Sequence, residues 1–237
     1  MAGVETRSED IEIDGRLVVV TRPVEPGPWP GVVMLHEAFG LDDILRRQAD
    51  RLASAGFLVY GPDLLGDGLK IRCIMAAFRS LSAQSGKPFD LVEACRQRVL
   101  ADPDGNGKAG VIGFCMGGGF ALVLADRGFD AASVNYGMVP KNLDQILSGA
   151  CPIVASYPGR DSMLMKQLPQ LEAGLAAHRV VNDVKVYPDA GHTFMNDAMA
   201  GPKLMHPLMR INHMTPHPES AADAWTRIET FFGTHLR

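Results

Sequence analysis

The 237-residue chain reads as an α/β protein: a mostly parallel central sheet with helices on both faces and an antiparallel hairpin at its N-terminus. Three observations predict this. Short apolar runs rich in β-branched residues recur along the chain, each too short to be a helix of its own. Longer stretches with apolar residues at helical spacing separate them, the alternation expected of strands joined by crossover helices. Near the start, Asp14-Gly15 supplies positive φ for a tight turn between two short apolar runs. With 46% hydrophobic and 21% charged residues the composition is that of a globular protein. The length suits one large α/β domain, so residues 1–237 are expected to form a single unit.

The elements follow in order. Ile11 to Ile13 and Leu17 to Thr21 flank the turn and form the hairpin, and Pro23 to Pro30 is a loop. The predicted parallel strands are Gly31 to Leu35, Phe57 to Tyr60, Ala109 to Phe114, Ala132 to Tyr136, Pro152 to Tyr157 and Val184 to Tyr187. Between the first two, Leu41, Ile44, Leu45, Gln48, Leu52 and Ala55 fall at helical spacing, and all but Gln48 make one apolar stripe ending before Gly56. Leu69 to Leu100 holds two helices separated near Pro88. Gly117 to Ala125, Leu164 to Ala177 and Ala221 to Phe232 are further covering helices, the last docking through Trp225, Ile228, Phe231 and Phe232. Gly191 to Ser220 is long for a connection and rich in Met, His and Pro, and is expected to form part of a pocket wall.

A net charge of −4 with scattered basic residues argues against nucleic acid and anionic lipid as partners. The N-terminus is polar and acidic, and no segment has the ~20 uninterrupted apolar residues of a spanning helix, so a cytoplasmic location is expected. Cys73, Cys95, Cys115 and Cys151 are too dispersed for a disulfide scaffold or a zinc site. His206, His213 and His217 lack a matching acidic ligand, and Pro216 and Pro218 keep the last two off one regular helix face. Gly117-Gly118-Gly119 has the wrong spacing for a dinucleotide loop. Asp102 to Gly107 opens like a calcium loop but places Gly113 at the bidentate position. No metal or cofactor is expected.

The strongest signal is Gly113-Phe114-Cys115-Met116-Gly117, at the end of an apolar strand and the start of a helix. Small residues two positions either side of Cys115 permit the sharp turn of a nucleophile elbow, with Cys in place of Ser. Such a turn lifts the sulfur above the sheet and aims a helix N-terminus at it, where the amides favour thiolate and oxyanion. The N–H of Met116 is then the natural oxyanion donor. The plainer reading is that the glycines only allow close packing and Cys115 is an inert buried thiol. Chain order favours the functional one, because α/β-hydrolases place nucleophile, acid and histidine in sequence. Asp161 follows the strand Pro152 to Tyr157, and His192 follows Val184 to Tyr187. Asp189 is a second candidate for the acid, and both Asp161 and His192 also read as ordinary loop residues.

At these residues the chain resembles the dienelactone hydrolase family, from Gly31 to about Phe232. The matching segments are Met34-Leu35-His36-Glu37-Ala38-Phe39-Gly40, Gly113-Phe114-Cys115-Met116-Gly117-Gly118, Tyr136-Gly137, Asp161 and Gly191-His192-Thr193-Phe194. The resemblance implies an α/β-hydrolase fold and a triad of Cys115, Asp161 and His192. It also implies that the N–H of Ala38 joins that of Met116 as oxyanion donor, and that Glu37 points into the site and takes the thiol proton when substrate displaces it. Arg79, Tyr136 and Phe194 become candidate substrate contacts, although Met195 and Asn196 stand where an arginine follows the histidine in that family.

Free cysteine ionises near pH ~8.5, so a working nucleophile needs a base or a helix dipole. Thiolate is also a better leaving group than alkoxide, so an intermediate formed from a simple alkyl ester tends to revert. The chemistry expected is hydrolysis of a small activated ester or enol lactone through a thioester. A general carboxylesterase or thioesterase of the same fold is the alternative among enzymes. A noncatalytic binding or thiol-sensing protein is the alternative outside them.

Overall fold

The computed structural model describes residues 3–237. Strands β1 (Thr6–Ile13), β2 (Arg16–Pro23), β3 (Trp29–Leu35), β4 (Leu58–Pro62), β5 (Gly105–Phe114), β6 (Ala131–Asn135), β7 (Ile153–Pro158) and β8 (Asn182–Tyr187) form one sheet in the order β1-β2-β4-β3-β5-β6-β7-β8. β1 and β2 form the expected hairpin, closed at Asp14-Gly15 where both residues have positive φ. β2 also runs antiparallel to β4, and every later pairing is parallel.

The burial of each strand follows from its place. β6 and β7 are buried along their whole length, as a parallel strand covered on both faces must be, whereas at the edges β1 is largely polar and exposed and β8 is mostly half-buried. β5 starts four residues earlier than the apolar run predicts, because Gly105 pairs with Trp29 across a register shift before the buried segment Ala109–Phe114 begins.

Helix α1 (Asp43–Ser54) packs on one face with α8 (Pro218–Leu236), and α2 (Lys70–Ala83), α3 (Lys87–Leu100), α4 (Met116–Leu124), α5 (Leu143–Leu147) and α6 (Ser162–Ala177) cover the other. Asp42 caps α1, its Oδ1 accepting from the amides of Ile44 and Leu45 at 3.0 Å. The break between α2 and α3 falls at Gln84 to Gly86. Gln84 ends α2 in the left-handed region, and Pro88 lies in the first turn of α3, where its missing N–H costs nothing.

Two helices escape the sequence pattern: α5, only five residues long, and α7 (His206–Ile211), which with a 3-10 turn at Lys203–Met205 structures part of the long segment 191–220. Both are too short to display a period of 3.6.

The last helix docks largely as predicted. Trp225, Ile228 and Phe232 are buried, Phe231 packs at the margin, and Phe232 stacks obliquely on Phe57 with centroids 6.1 Å apart. Arg227 pins the same helix to the far strands. Its guanidinium reaches the Asp183 carboxylate at 3.0 Å, Ser156 Oγ at 3.2 Å and the Asp183 carbonyl at 2.8 Å. Among the described residues no helix is long and apolar enough to cross a membrane.

This packing makes α8 a stabilising clamp over β5 to β7. Phe232→Ala is expected to cost ~3–5 kcal/mol from lost burial plus cavity, while Phe231→Ala costs clearly less. The midpoints of urea unfolding with an unchanged m-value check both.

Candidate active site

The chain runs outward from β3 in two directions, to β4 on one side and to β5 on the other, so the carboxyl ends of β3 and β5 meet at the switch point of the sheet, where open α/β sheets form their clefts. Glu37 and Ala38 follow β3, and Cys115 follows β5. Cys115 has φ 55° and ψ −111°, a conformation that a non-glycine residue holds only when its surroundings enforce it. The surroundings are visible in the glycines. A Cβ on Gly113 would lie 1.9 Å from the carbonyl oxygen of Gly117, and one on Gly117 would lie 2.3 Å from that of Leu35. Both readings of the pentapeptide are therefore met at once: the glycines allow strand and helix to close, and closing them makes the turn.

Asn135 locks that turn from β6. Its carbonyl accepts from the Cys115 amide at 3.0 Å and its Nδ2 donates to the Gly113 carbonyl at 3.2 Å. Nothing in the sequence marks Asn135 except a polar residue at the end of a mostly apolar strand that also holds Ser133. Met116 opens α4, where first-turn amides have no partner within the helix.

His192 stands between the other two groups. Its Nε2 lies 3.0 Å from Cys115 Sγ and its Nδ1 2.6 Å from Asp161 Oδ2. The other oxygen of Asp161 caps α6, accepting from the amides of Met163 at 3.0 Å and Leu164 at 3.1 Å. One carboxylate thus starts a helix and fixes the imidazole. Asp189, the second candidate acid, is exposed and faces Arg160 at 3.4 Å instead.

Burial alone would raise the Asp161 pKa, but the hydrogen bond with His192 and those amides hold it below the ordinary carboxylate value. Burial alone would lower that of His192, and the bonds to Asp161 and Cys115 outweigh it, lifting the imidazole to about 10.

Glu37 is partly exposed and accepts from the Tyr136 hydroxyl at 3.1 Å on Oε1. Desolvation raises its pKa, opposed by Asn196, His192 and Tyr136. The same desolvation, reinforced by the Glu37 charge, holds the Tyr136 hydroxyl well above its ordinary value, so it is a neutral donor. His36 sets the backbone here. Its Nε2 accepts from the Leu64 amide at 2.9 Å, which leaves the proton on Nδ1 to be donated to the Glu37 carbonyl at 2.6 Å.

None of the three expected substrate contacts lines the cleft that reaches His192. Tyr136 and Phe194 are fully buried, stacked edge-on with centroids 5.6 Å apart, and form a floor beneath His192. Aromatic residues beside a site motif mark its support as readily as its lining, and here they are support. Arg79 is exposed on α2 and does not line the cleft that reaches His192. That cleft, about 480 Å³, is walled by Arg160 and Met163 on one side and by Ile211, Asn212 and Met214 on the other. The segment 191–220 therefore supplies a pocket wall as expected, with α7 as its frame.

A mostly parallel sheet with helices on both faces and a Gly-x-Cys-x-Gly turn at its switch point has the architecture of an α/β-hydrolase. Residues 17–236 match the dienelactone hydrolase family, and the chain belongs to it. It is 27% identical over 211 residues to a carboxymethylenebutenolidase of Pseudomonas putida, covering 84% of this chain and 88% of that one. Against a carboxymethylenebutenolidase of Rhodococcus opacus it is 27% identical over 226 residues, covering 90% and 84%. Among solved structures, a dienelactone hydrolase from Anabaena variabilis superposes with a TM-score of 0.70 at 16% identity, covering 98% of this chain and 99% of that one. A dienelactone hydrolase-like promiscuous phosphotriesterase from metagenomic libraries superposes with a TM-score of 0.76 at 20% identity, covering 99% and 100%. The chain is a hydrolase of this family.

The shifted groups give a signed expectation. His192 is raised, so its contribution to stability is complete below its unfolded pKa of ~6.5 and is lost as pH rises through about 10. Asp161 is lowered, so its contribution is present above ~3.9 and is lost as pH falls through its depressed value. The melting temperature of wild type relative to His192→Ala should therefore be highest across mildly acidic pH and converge at strongly alkaline pH. NMR titration of the His192 ring should give a midpoint well above neutrality, and a midpoint near the ordinary imidazole value would overturn the ion-pair reading.

Proposed function

We propose that this hydrolase cleaves a small activated ester or enol lactone through a thioester on Cys115, with His192 as acid and base and Asp161 orienting it. The observation that carries the reading is the continuous contact from Asp161 Oδ2 through both nitrogens of His192 to Cys115 Sγ. It puts an imidazole able to carry a proton within hydrogen-bond reach of the Cys115 sulfur, with a carboxylate behind it to orient the ring. The names of the Pseudomonas and Rhodococcus relatives point to the same class, an enol lactone opened by hydrolysis.

In this reading the thiol proton passes to Glu37 as substrate enters, leaving thiolate beside the His192 imidazolium. Sγ attacks the carbonyl carbon, and charge collects on the carbonyl oxygen, which the amides of Ala38 and Met116 receive. The intermediate collapses with cleavage of the carbon–oxygen ester bond, and His192 gives its proton to the departing oxygen. Water then attacks the thioester as His192 takes a proton from it, the acid leaves, and the expelled thiolate takes back the proton held by Glu37, restoring the thiol and the carboxylate. A leaving enolate stabilised by conjugation favours forward collapse over loss of thiolate, so activated substrates suit a cysteine better than alkyl esters or amides.

The cleft beside His192 bears on breadth. Met163, Ile211 and Met214 are apolar, and the Arg160 guanidinium lies 3.4 Å from Asp189 rather than standing alone. This lining favours uncharged activated esters alongside lactones, the carboxylesterase end of the range, with a small-molecule substrate and no cofactor in the reaction.

Turnover of an activated aryl ester and of an enol lactone is expected for wild type and is expected to fall by ~10³-fold or more in Cys115→Ala. Mass spectrometry of acid-quenched enzyme should find an acyl adduct on Cys115. Full activity in Cys115→Ala, or in Cys115→Ser on the same esters, would overturn the assignment. Stoichiometric labelling of Cys115 with no turnover of either substrate would point instead to a thiol-sensing protein.

A further inference from the structure

Gln48 is the residue out of place on α1. It is 7% exposed on a face made otherwise of Ile44, Leu45, Ala49 and Leu52. Its Nε2 donates to Asn196 Oδ1 at 3.2 Å, and Asn196 is itself only 2% exposed. Among the described residues, Asn196 Nδ2 is a buried donor without a hydrogen-bond partner. A buried donor is costly unless an acceptor comes within its reach. Because the oxygen and nitrogen of a side-chain amide diverge from one carbon, pinning Oδ1 to Gln48 fixes the direction of Nδ2.

Gln48 and Asn196 share a small cavity with His36, Glu37 and Asp42. Asp42 caps α1 through Oδ1. Glu37, whose Oε1 takes the Tyr136 hydroxyl, is the carboxylate of this cavity on which the Asn196 side chain acts. The effect of the Asn196 amide on Glu37 is to favour its ionised form.

We infer that Asn196, oriented by Gln48, is a positioning residue for Glu37, its Nδ2–H donating to the carboxylate and holding it where it accepts the Cys115 proton. The inference rests on the proposed role of Glu37 as that acceptor. In the step concerned the S–H bond of Cys115 breaks and an O–H bond forms on Glu37, with no other reactant. The chemical sense lies in charge. A lysine or arginine beside Glu37 would pin the anion and weaken it as a base, whereas two neutral donors, Tyr136 and Asn196, hold the carboxylate and leave its proton affinity high. The titratable groups facing Glu37 are His192 across the site, Tyr136 from the end of β6, His36 in its own segment and Asp42 at the start of α1, while Cys115 acts on the Tyr136 hydroxyl that Glu37 accepts.

The test is kcat/KM against pH for an activated aryl ester in wild type, Asn196→Leu, Asn196→Asp, Gln48→Met, Glu37→Gln and the double variant Glu37→Gln with Asn196→Leu. Loss of the donor makes Glu37 hold its proton to higher pH. The acidic limb should move up in Asn196→Leu, giving about a tenfold larger loss near pH 6 than near pH 9. Asn196→Asp, near-isosteric and able to fold where leucine disturbs the core, should move the limb further by adding a like charge. Gln48→Met should move it the same way by less. In the Glu37→Gln background, Asn196→Leu should have no further effect. Equal loss at every pH, or additive losses in the double variant, overturns the positioning role while leaving the cysteine mechanism standing. Wild-type kcat/KM in Glu37→Gln overturns the role of Glu37 and this inference together. Loss of turnover in Cys115→Ala would still hold in that case, which separates the two failures.

Discussion

The close approach of backbone to backbone around Cys115 is the constraint on which the rest depends. Positions 113, 117, 118 and 137 carry no side chain, and at each a Cβ would come within 2.4 Å of a neighbouring backbone atom. With those atoms absent, the end of β5, the first turn of α4, the end of β3 and the residue after Tyr136 all meet at one point. The turn that results holds Cys115 in a conformation it would not adopt alone. Asn135 then fastens strand and turn together from β6. Because the sheet positions all of these segments, the site inherits the rigidity of the core rather than the mobility of its loops.

Asp161 shows how the fold and the site are coupled energetically. Its two oxygens serve different masters, one the amides that begin α6 and the other the ring of His192. A cap of this kind is worth ~0.5–2 kcal/mol to its helix, so the same group that fixes the imidazole also fixes the helix carrying Met163 into the cleft. Asp189 lies in the loop just before His192 but contributes to no helix and stays exposed. The carboxylate that the backbone already holds is the one that reaches the histidine, since its ordering entropy is offset by the helix it starts.

Much of this was legible in the sequence, because strands with both faces covered and helices with one apolar stripe leave strong periodic signals. The parallel strands, the hairpin and the helices over 41–55 and 221–232 appear where the pattern puts them. Order along the chain brought Cys115, Asp161 and His192 to one place on paper, and the fold brings their atoms into contact. What escaped has a physical reason in each case. Helices α5 and α7 are held by tertiary packing and are too short to declare a period. Tyr136 and Phe194 stand beside the motifs in sequence, yet turn into the core, since adjacency along a strand end says nothing about which way a ring faces. Arg79 is a candidate only through the family resemblance, and the helix that bears it presents it to solvent.

Gln48 carries the broader point. In the helical pattern it was a flaw in an apolar stripe, and in isolation a flaw predicts only lost stability. Set against Asn196 and the half-buried carboxylate beyond it, the same residue becomes the outermost member of a polar chain that begins at the candidate site: Gln48 to Asn196, Asn196 into the cavity of Glu37, Glu37 to Tyr136. Each member is neutral except Glu37, so the chain supplies orientation without neutralising the one anion it surrounds. A core that gives up apolar contact at two positions does so against the hydrophobic gradient that built it. The interior of this protein is polar where it approaches Cys115, and the departures from sequence pattern trace that approach.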